Sequence, residues 1–154
     1  MSKHTILTIG YEKATQPALV AALVEAGVEV LADVRYLPLS RRPGFSKNSL
    51  KAAVEEAGIA YRHFRDVGTP KEGREAARKG DREGLRRSYM GQLELPQALA
   101  AMAELRALAE EKRVCLLCFC RDYDKCHRSL LFDELFADFE RVDLEPALPG
   151  EAKP

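Results

Sequence analysis

All four cysteines of this 154-residue chain fall within twelve positions: Cys115, Cys118, Cys120 and Cys126. The stretch that carries them constrains the fold more than any other. It opens as a continuous apolar run from Val114 to Phe119, passes through a short polar turn, and continues with Leu130, Leu131, Leu135 and Phe136 at helical spacing. This order reads as buried strand, loop and helix. Such a junction brings strand-end side chains to the amides of a helix N-terminus, which suits anion binding and thiol chemistry.

The same alternation runs through the chain. Residues 5–9 form a β-branched run ended by Gly10, a first strand. Residues 15–27 follow as an amphipathic helix, with Leu19, Val20, Leu23 and Val24 as one stripe, Pro17 in the first turn and Gly27 as the stop. Residues 29–34 are nearly continuous in apolar side chains and end at Arg35, as expected of a parallel strand covered on both faces. The stretch from Tyr36 to Ser46 holds two prolines and a glycine and is read as an irregular loop. Ser46 is expected to cap a helix that runs to about residue 57, with Gly58 as its stop.

Residues 59–65 alternate enough for a third strand. The charged segment 66–92 is read as broken helix over an exposed surface, in the position of a lid. Pro96 starts a cleaner helix to about Lys112, with Leu99, Met102, Leu105, Arg106 and Leu108 on or near one face. After the cysteine strand and its helix, residues 141–145 add an edge strand. The expectation is a single α/β domain over residues 1–145, Rossmann-like, with a mostly parallel sheet of four to five strands and helices on both faces. Residues 146–154 are expected to be a loose tail.

Ligands of such folds bind beyond the C-terminal ends of the strands. Gly10 and Tyr11, Asp33 to Arg35, His63 to Arg65, and Cys118 to Arg121 all fall there. A site built from them is one site.

The apolar fraction of 46% and charged fraction of 31% are ordinary for a globular protein, and the formal net charge is zero. There is thus no global pull toward nucleic acid or membrane, and any basic surface is local. The N-terminus lacks the apolar core of a signal peptide, and no run approaches a membrane span. A cytoplasmic protein is expected. Cysteines clustered rather than spread argue against a disulfide framework.

Extended backbone over 114–120 points Cys118 and Cys120 to one face and Cys115 to the other, into the core. Asp124 suits the N-cap of the last helix, which places Cys126 and His127 in its first turn, where free amides and the helix dipole favour thiolate. Four readings stay open for these residues. One is a thiol enzyme or redox pair of Cys118 and Cys126, with arginines holding an oxyanion. A second is a metal site from Cys118, Cys120, Cys126 and His127, whose ligand types suit zinc. Its spacing does not match the common zinc patterns, and adjacent helical residues diverge by about 100°. A third is an anion-binding module in which the cysteines merely pack, and the fourth is a buried strand that happens to be cysteine-rich. Arg35 either pairs with Asp33 or Asp66 or forks to a phosphate or carboxylate. The Arg- and Lys-rich segment 71–87 reads as a solvated face before it reads as a nucleic-acid footprint.

Several motifs taken together resemble the domain of unknown function 488 family of small bacterial and archaeal cytosolic proteins. They are Thr8 to Glu12, Ala32 to Arg35, Pro38 to Lys47, Val67 to Lys71, Leu116 to Cys118 and Cys126 to Leu131. The resemblance spans almost the whole chain and implies an α/β fold without an assigned activity. It carries over Tyr11, Asp33, Arg35, Ser40, Arg41, Phe45, Cys118, Cys126, His127 and Arg128 as motif positions. The family has an acidic residue where this chain has Cys120, so a zinc site that includes Cys120 is not the family's general chemistry. A fold-level likeness to rhodaneses rests on the Asp-Val-Arg strand and a cysteine at a strand-to-helix loop. The loop from Cys120 to Cys126 has no glycine and two carboxylates, a poor cradle for a dianion.

The functional expectation is an α/β domain that binds an anionic, phosphate-, nucleotide- or sulfur-containing ligand through Tyr11, Asp33, Arg35, Ser40, Arg41, Phe45 and Arg128. If it is a cysteine-dependent transferase or hydrolase, Cys118 or Cys126 is the thiol and His127 the acid or base. The alternatives are a non-catalytic nucleic-acid-binding module and a redox sensor using Cys118 and Cys126. No cofactor and no resident metal are expected. The expected partner is a phosphate-bearing small molecule or a nucleic acid, with no membrane, and the oligomeric state is not legible.

Overall fold

The computed structural model of the chain describes residues 4–121 and 127–149. Five strands, β1 (Thr5–Gly10), β2 (Val30–Asp33), β3 (Ala60–His63), β4 (Val114–Cys118) and β5 (Glu140–Leu144), form one sheet. Their order across it is β3-β2-β4-β1-β5, and every neighbouring pair is parallel. The helices are α1 (Gln16–Glu25), α2 (Lys47–Glu56), α3 (Lys71–Arg78), α4 (Arg82–Leu93), α5 (Pro96–Glu111) and α6 (His127–Leu135). The α/β, Rossmann-like expectation holds, and the sheet is parallel throughout.

Connections after β1 and β2 run toward β3, and those after β3 and β4 run toward β5. Right-handed crossovers therefore put α1 and α2 on one face and α3 to α6 on the other. The core divides accordingly. One layer joins Leu19, Leu23, Leu50 and Val54 to Leu7, Leu31, Cys115 and Leu117. The other joins Tyr89, Leu93, Leu105 and Leu131 to Ile6, Ala32, Val114 and Leu116. The alternation along β4 is the pleat itself, with odd residues to one layer and even residues to the other. Because β4 exits to the face opposite its neighbours β1 and β2, the sheet's crevice opens beside the end of β4.

Five local expectations change. The third strand stops at His63, and Arg65–Val67 coil into a 3₁₀ turn. Gly68 makes this fit, since a Cβ there would lie 2.2 Å from the Tyr36 amide nitrogen. The segment 66–92 is not only an exposed surface: α4 buries Leu85, Tyr89 and Leu93, and the Tyr89 hydroxyl donates to the Val67 carbonyl at 2.6 Å. Val24 and Leu99, both expected on core stripes, are 54% and 53% exposed. Finally, β4 ends at Cys118, so strand alternation does not reach Cys120. At the other end, Pro146 is buried and its carbonyl accepts from Arg121 Nη1 at 3.0 Å, which ties down the start of the expected loose tail.

Candidate functional site at the C-terminal edge of the sheet

Strand ends bring two side-chain clusters to one edge. The first forms around Asp33 and Arg35. Two residues apart on an extended chain, they share a face, and both are buried. Asp33 Oδ1 accepts from Arg35 Nε at 2.8 Å, and Oδ2 accepts from Nη2 at 2.7 Å, a bidentate fork. Arg35 Nη1 donates to the Phe45 carbonyl at 2.6 Å and to the Tyr11 hydroxyl at 3.3 Å. The Tyr61 hydroxyl donates to the second Asp33 oxygen. Burial works against the charge of Arg35, but the hydrogen bond and charge of Asp33, followed by Tyr11, outweigh it, so its pKa is raised. Burial and the Asp33 charge likewise push the Tyr61 phenol up. Arg35 is thus the structural partner of Asp33, while Asp66 pairs with Arg65 at 3.6 Å.

This cluster anchors the loop 36–46. The Tyr11 ring stacks on Phe45 with centroids 4.6 Å apart and meets Phe119 edge-on at 5.4 Å. Arg42 donates to the Tyr11 carbonyl at 3.1 Å and to the Ala14 carbonyl. Ser46 stands at the N-cap position of α2, yet its hydroxyl makes no capping bond. It turns back to accept from the Ser40 amide at 3.1 Å and donate to the Ser40 carbonyl at 3.2 Å. Ser40 Oγ in turn accepts from the Arg42 amide at 3.1 Å. Arg41 projects from this braced loop, exposed, and among the described residues it has no hydrogen bond or ion pair. Phe119, at 47% exposure, stands at the end of β4.

The second cluster gathers at the start of α6. His127 is buried, and its Nε2 lies 2.9 Å from the Val34 carbonyl. A carbonyl only accepts, so Nε2 carries the proton and Nδ1 is the acceptor nitrogen. Burial pushes the imidazole down to about 4, with the charge of Arg128 adding to the effect, so the ring is neutral at pH 7. Its edge meets the Tyr89 ring at 5.1 Å. Arg128, 1% exposed, donates from Nη2 to the carbonyls of Cys120 and Arg121 at 2.8 and 2.9 Å. Its Nη1 reaches Thr8 Oγ1 at 3.3 Å. Cys118, also 1% exposed, directs its thiol to the same Cys120 carbonyl at 3.8 Å. Cys115 is fully buried in the opposite layer, and burial pushes its thiol pKa up.

Backbone joins the clusters. The Tyr11 amide donates to Cys118 at 3.2 Å, the Glu12 amide to Phe119 at 2.8 Å and the Val34 amide to Leu117 at 3.2 Å. The bond from His127 to Val34 places the start of α6 one residue from Arg35. Cys126 and the expected Asp124 cap lie outside the described residues. No group of three or more metal-ligating side chains occurs among the described residues, and none of their helices is long and apolar enough to cross a membrane.

Sequence reasoning missed three participants. Tyr61 and Tyr89 are each brought in by a different element, although the four-residue spacing of Leu85, Tyr89 and Leu93 was a visible sign of a buried stripe. Arg42, not Arg41, is the loop's internal anchor, and nothing in the adjacent pair distinguishes them in advance.

The single proton of His127 is committed to a carbonyl, and an imidazole whose conjugate acid has a pKa of about 4 is a weak base at pH 7. No curated protein matches the chain. The family model described as "Domain of unknown function DUF488" matches residues 16–135, and the chain belongs to that family.

Proposed function

We propose that this domain binds a phosphate-bearing ligand, a nucleotide or a nucleic-acid strand, at the C-terminal edge of its sheet without using His127 as acid or base. The observation that carries the reading is the braced loop 36–46. It presents Arg41 to solvent without a partner among the described residues, while Tyr11 links the same loop to the half-exposed ring of Phe119. A guanidinium takes a phosphate as a fork, and an exposed ring offers a face on which a base stacks. Holding the loop at Ser40, Arg42, Phe45 and Ser46 reduces the ordering cost of binding.

The test is fluorescence anisotropy with labelled mononucleotides and with single- and double-stranded oligonucleotides across a salt series. Phe119→Ala is expected to weaken binding by about 1–3 kcal/mol if a base stacks there. Arg41→Ala is expected to lower the slope of log affinity against log salt by about 1. An absence of binding to all three probes at low salt would remove the proposal.

A further inference from the structure

Two buried polar atoms near the start of α3 are left unsatisfied by the described residues. They are the hydroxyl of Thr69, a residue only 4% exposed, and Nε of Arg74. Unpaired buried groups are rare in native proteins and call for a ligand, an ion or a water. Three neighbouring features favour an anion. First, α3 begins after Pro70 with no side-chain cap, so no capping side chain meets the free amides of its first turn. Second, Thr69 packs its methyl against that turn, where a Cβ on Gly73 would stand 2.5 Å from Thr69 Cγ2, so the residue that carries the unsatisfied hydroxyl is adjacent to the helix start. Third, Tyr36 gathers two cations. The Arg65 guanidinium sits 4.2 Å and the Arg74 guanidinium 6.0 Å from its ring centroid, and Arg65 Nη2 donates to its hydroxyl at 2.6 Å. Opposing charge comes from Asp66, paired with Arg65 at 3.6 Å, and from Glu72 in the first turn of α3. Arg74 has no hydrogen bond or ion pair from its guanidinium among the described residues.

We propose that Thr69, Arg74, Arg65 and the first turn of α3 bind a tetrahedral oxyanion of the phosphate type, free or as the terminal group of a nucleotide. Two guanidiniums, a hydroxyl and a helix start together form the donor set that such an anion needs. Thr69 Oγ1 and Arg74 Nε are covered as they stand, so the anion enters as the partly exposed Arg74 side chain turns outward. The site uses neither Arg41 nor Phe119 and does not rest on the reading above.

The experiment is thermal unfolding of the full chain in inorganic phosphate against chloride at matched ionic strength, with ³¹P line broadening as a second measurement. Saturating phosphate is expected to raise the wild-type Tm by roughly 5 °C. Thr69→Val and Arg74→Gln are expected to lose that rise and the broadening, with circular dichroism confirming that both variants fold. Arg41→Ala is expected to keep them. Parallel titration with adenosine monophosphate separates the two sources: a shift at lower concentration than with inorganic phosphate assigns the terminal group of a nucleotide, and an equal or weaker one assigns the free anion. No rise in the wild type, or a rise retained in Thr69→Val and Arg74→Gln, overturns the proposal. A rise abolished by Arg41→Ala alone also overturns it, and leaves the braced-loop reading standing.

Discussion

Asp33 and Arg35 are both buried and satisfy each other through a fork, so removing one strands the other's charge. Arg35→Met is expected to cost about 3–5 kcal/mol in urea unfolding; a loss below about 1 kcal/mol would contradict the pairing. The Asp-x-Arg spacing on a strand was readable, and so was the choice between a structural and a ligand-facing arginine. What decided between them, the Tyr11 hydroxyl and the Phe45 carbonyl, arrives from segments 24 and 10 positions away. His127 makes a prediction of pH dependence. Its pKa lies below the ordinary 6.5, at about 4, so the unfolded chain binds the proton first. Stability from this group is complete above pH 6.5 and falls as pH drops toward 4, by on the order of 3 kcal/mol in all. His127→Gln is expected to flatten this part of the urea midpoint against pH, which unfolding at pH 7 and pH 4.5 would reveal. No sequence pattern announces a neutral imidazole; burial produces it, against the Val34 hydrogen bond, which favours the protonated ring.

Among the elements, the chain leaving β4 passes close over the end of β1. A Cβ on Gly10 would lie 1.8 Å from the Cys120 carbonyl oxygen and 2.9 Å from the Arg121 nitrogen. Neither atom is on a flexible side chain, and Arg128 Nη2 donates to the same carbonyl. Gly10→Ala is therefore expected to destabilise by about 1–3 kcal/mol through backbone displacement, measured as a lower urea midpoint with an unchanged slope. The glycine was legible as the end of a strand, but its reason was not, because the atoms it avoids lie over a hundred positions later. Helix existence was legible almost throughout, since Pro17, Gly27, Gly58 and Pro96 punctuate the chain. The segment 71–92 misled because arginines crowd α3 and α4, and their charge masks a narrow buried stripe on α4. Ser46 misled for another reason. A loop serine has local backbone groups on both sides, and here it chose Ser40 over the helix.

For the whole molecule, alternating strands and helices fixed the class, and long apolar runs fixed the parallel sheet. Strand order was not legible, since each run pairs with whichever neighbour the crossovers deliver. The observed order leaves β2, β4 and β1 inside and β3 and β5 at the edges. In hydrogen exchange, the amides of Val114 to Cys118 are expected to be the slowest and those of Glu140 to Leu144 among the fastest of the strand amides. Equal protection of β4 and β5 would contradict that gradient. The same strand order has a bearing on synthesis. The segment Thr5–Gly10 leaves the ribosome before the other four strands, and both of its partners, Val114–Cys118 and Glu140–Leu144, are made roughly a hundred residues or more later. Until then only β2 and β3 have each other to pair with. A β-branched strand with two open edges thus waits until β4 and β5 are made, and in that interval it is open to pairing with the wrong strand.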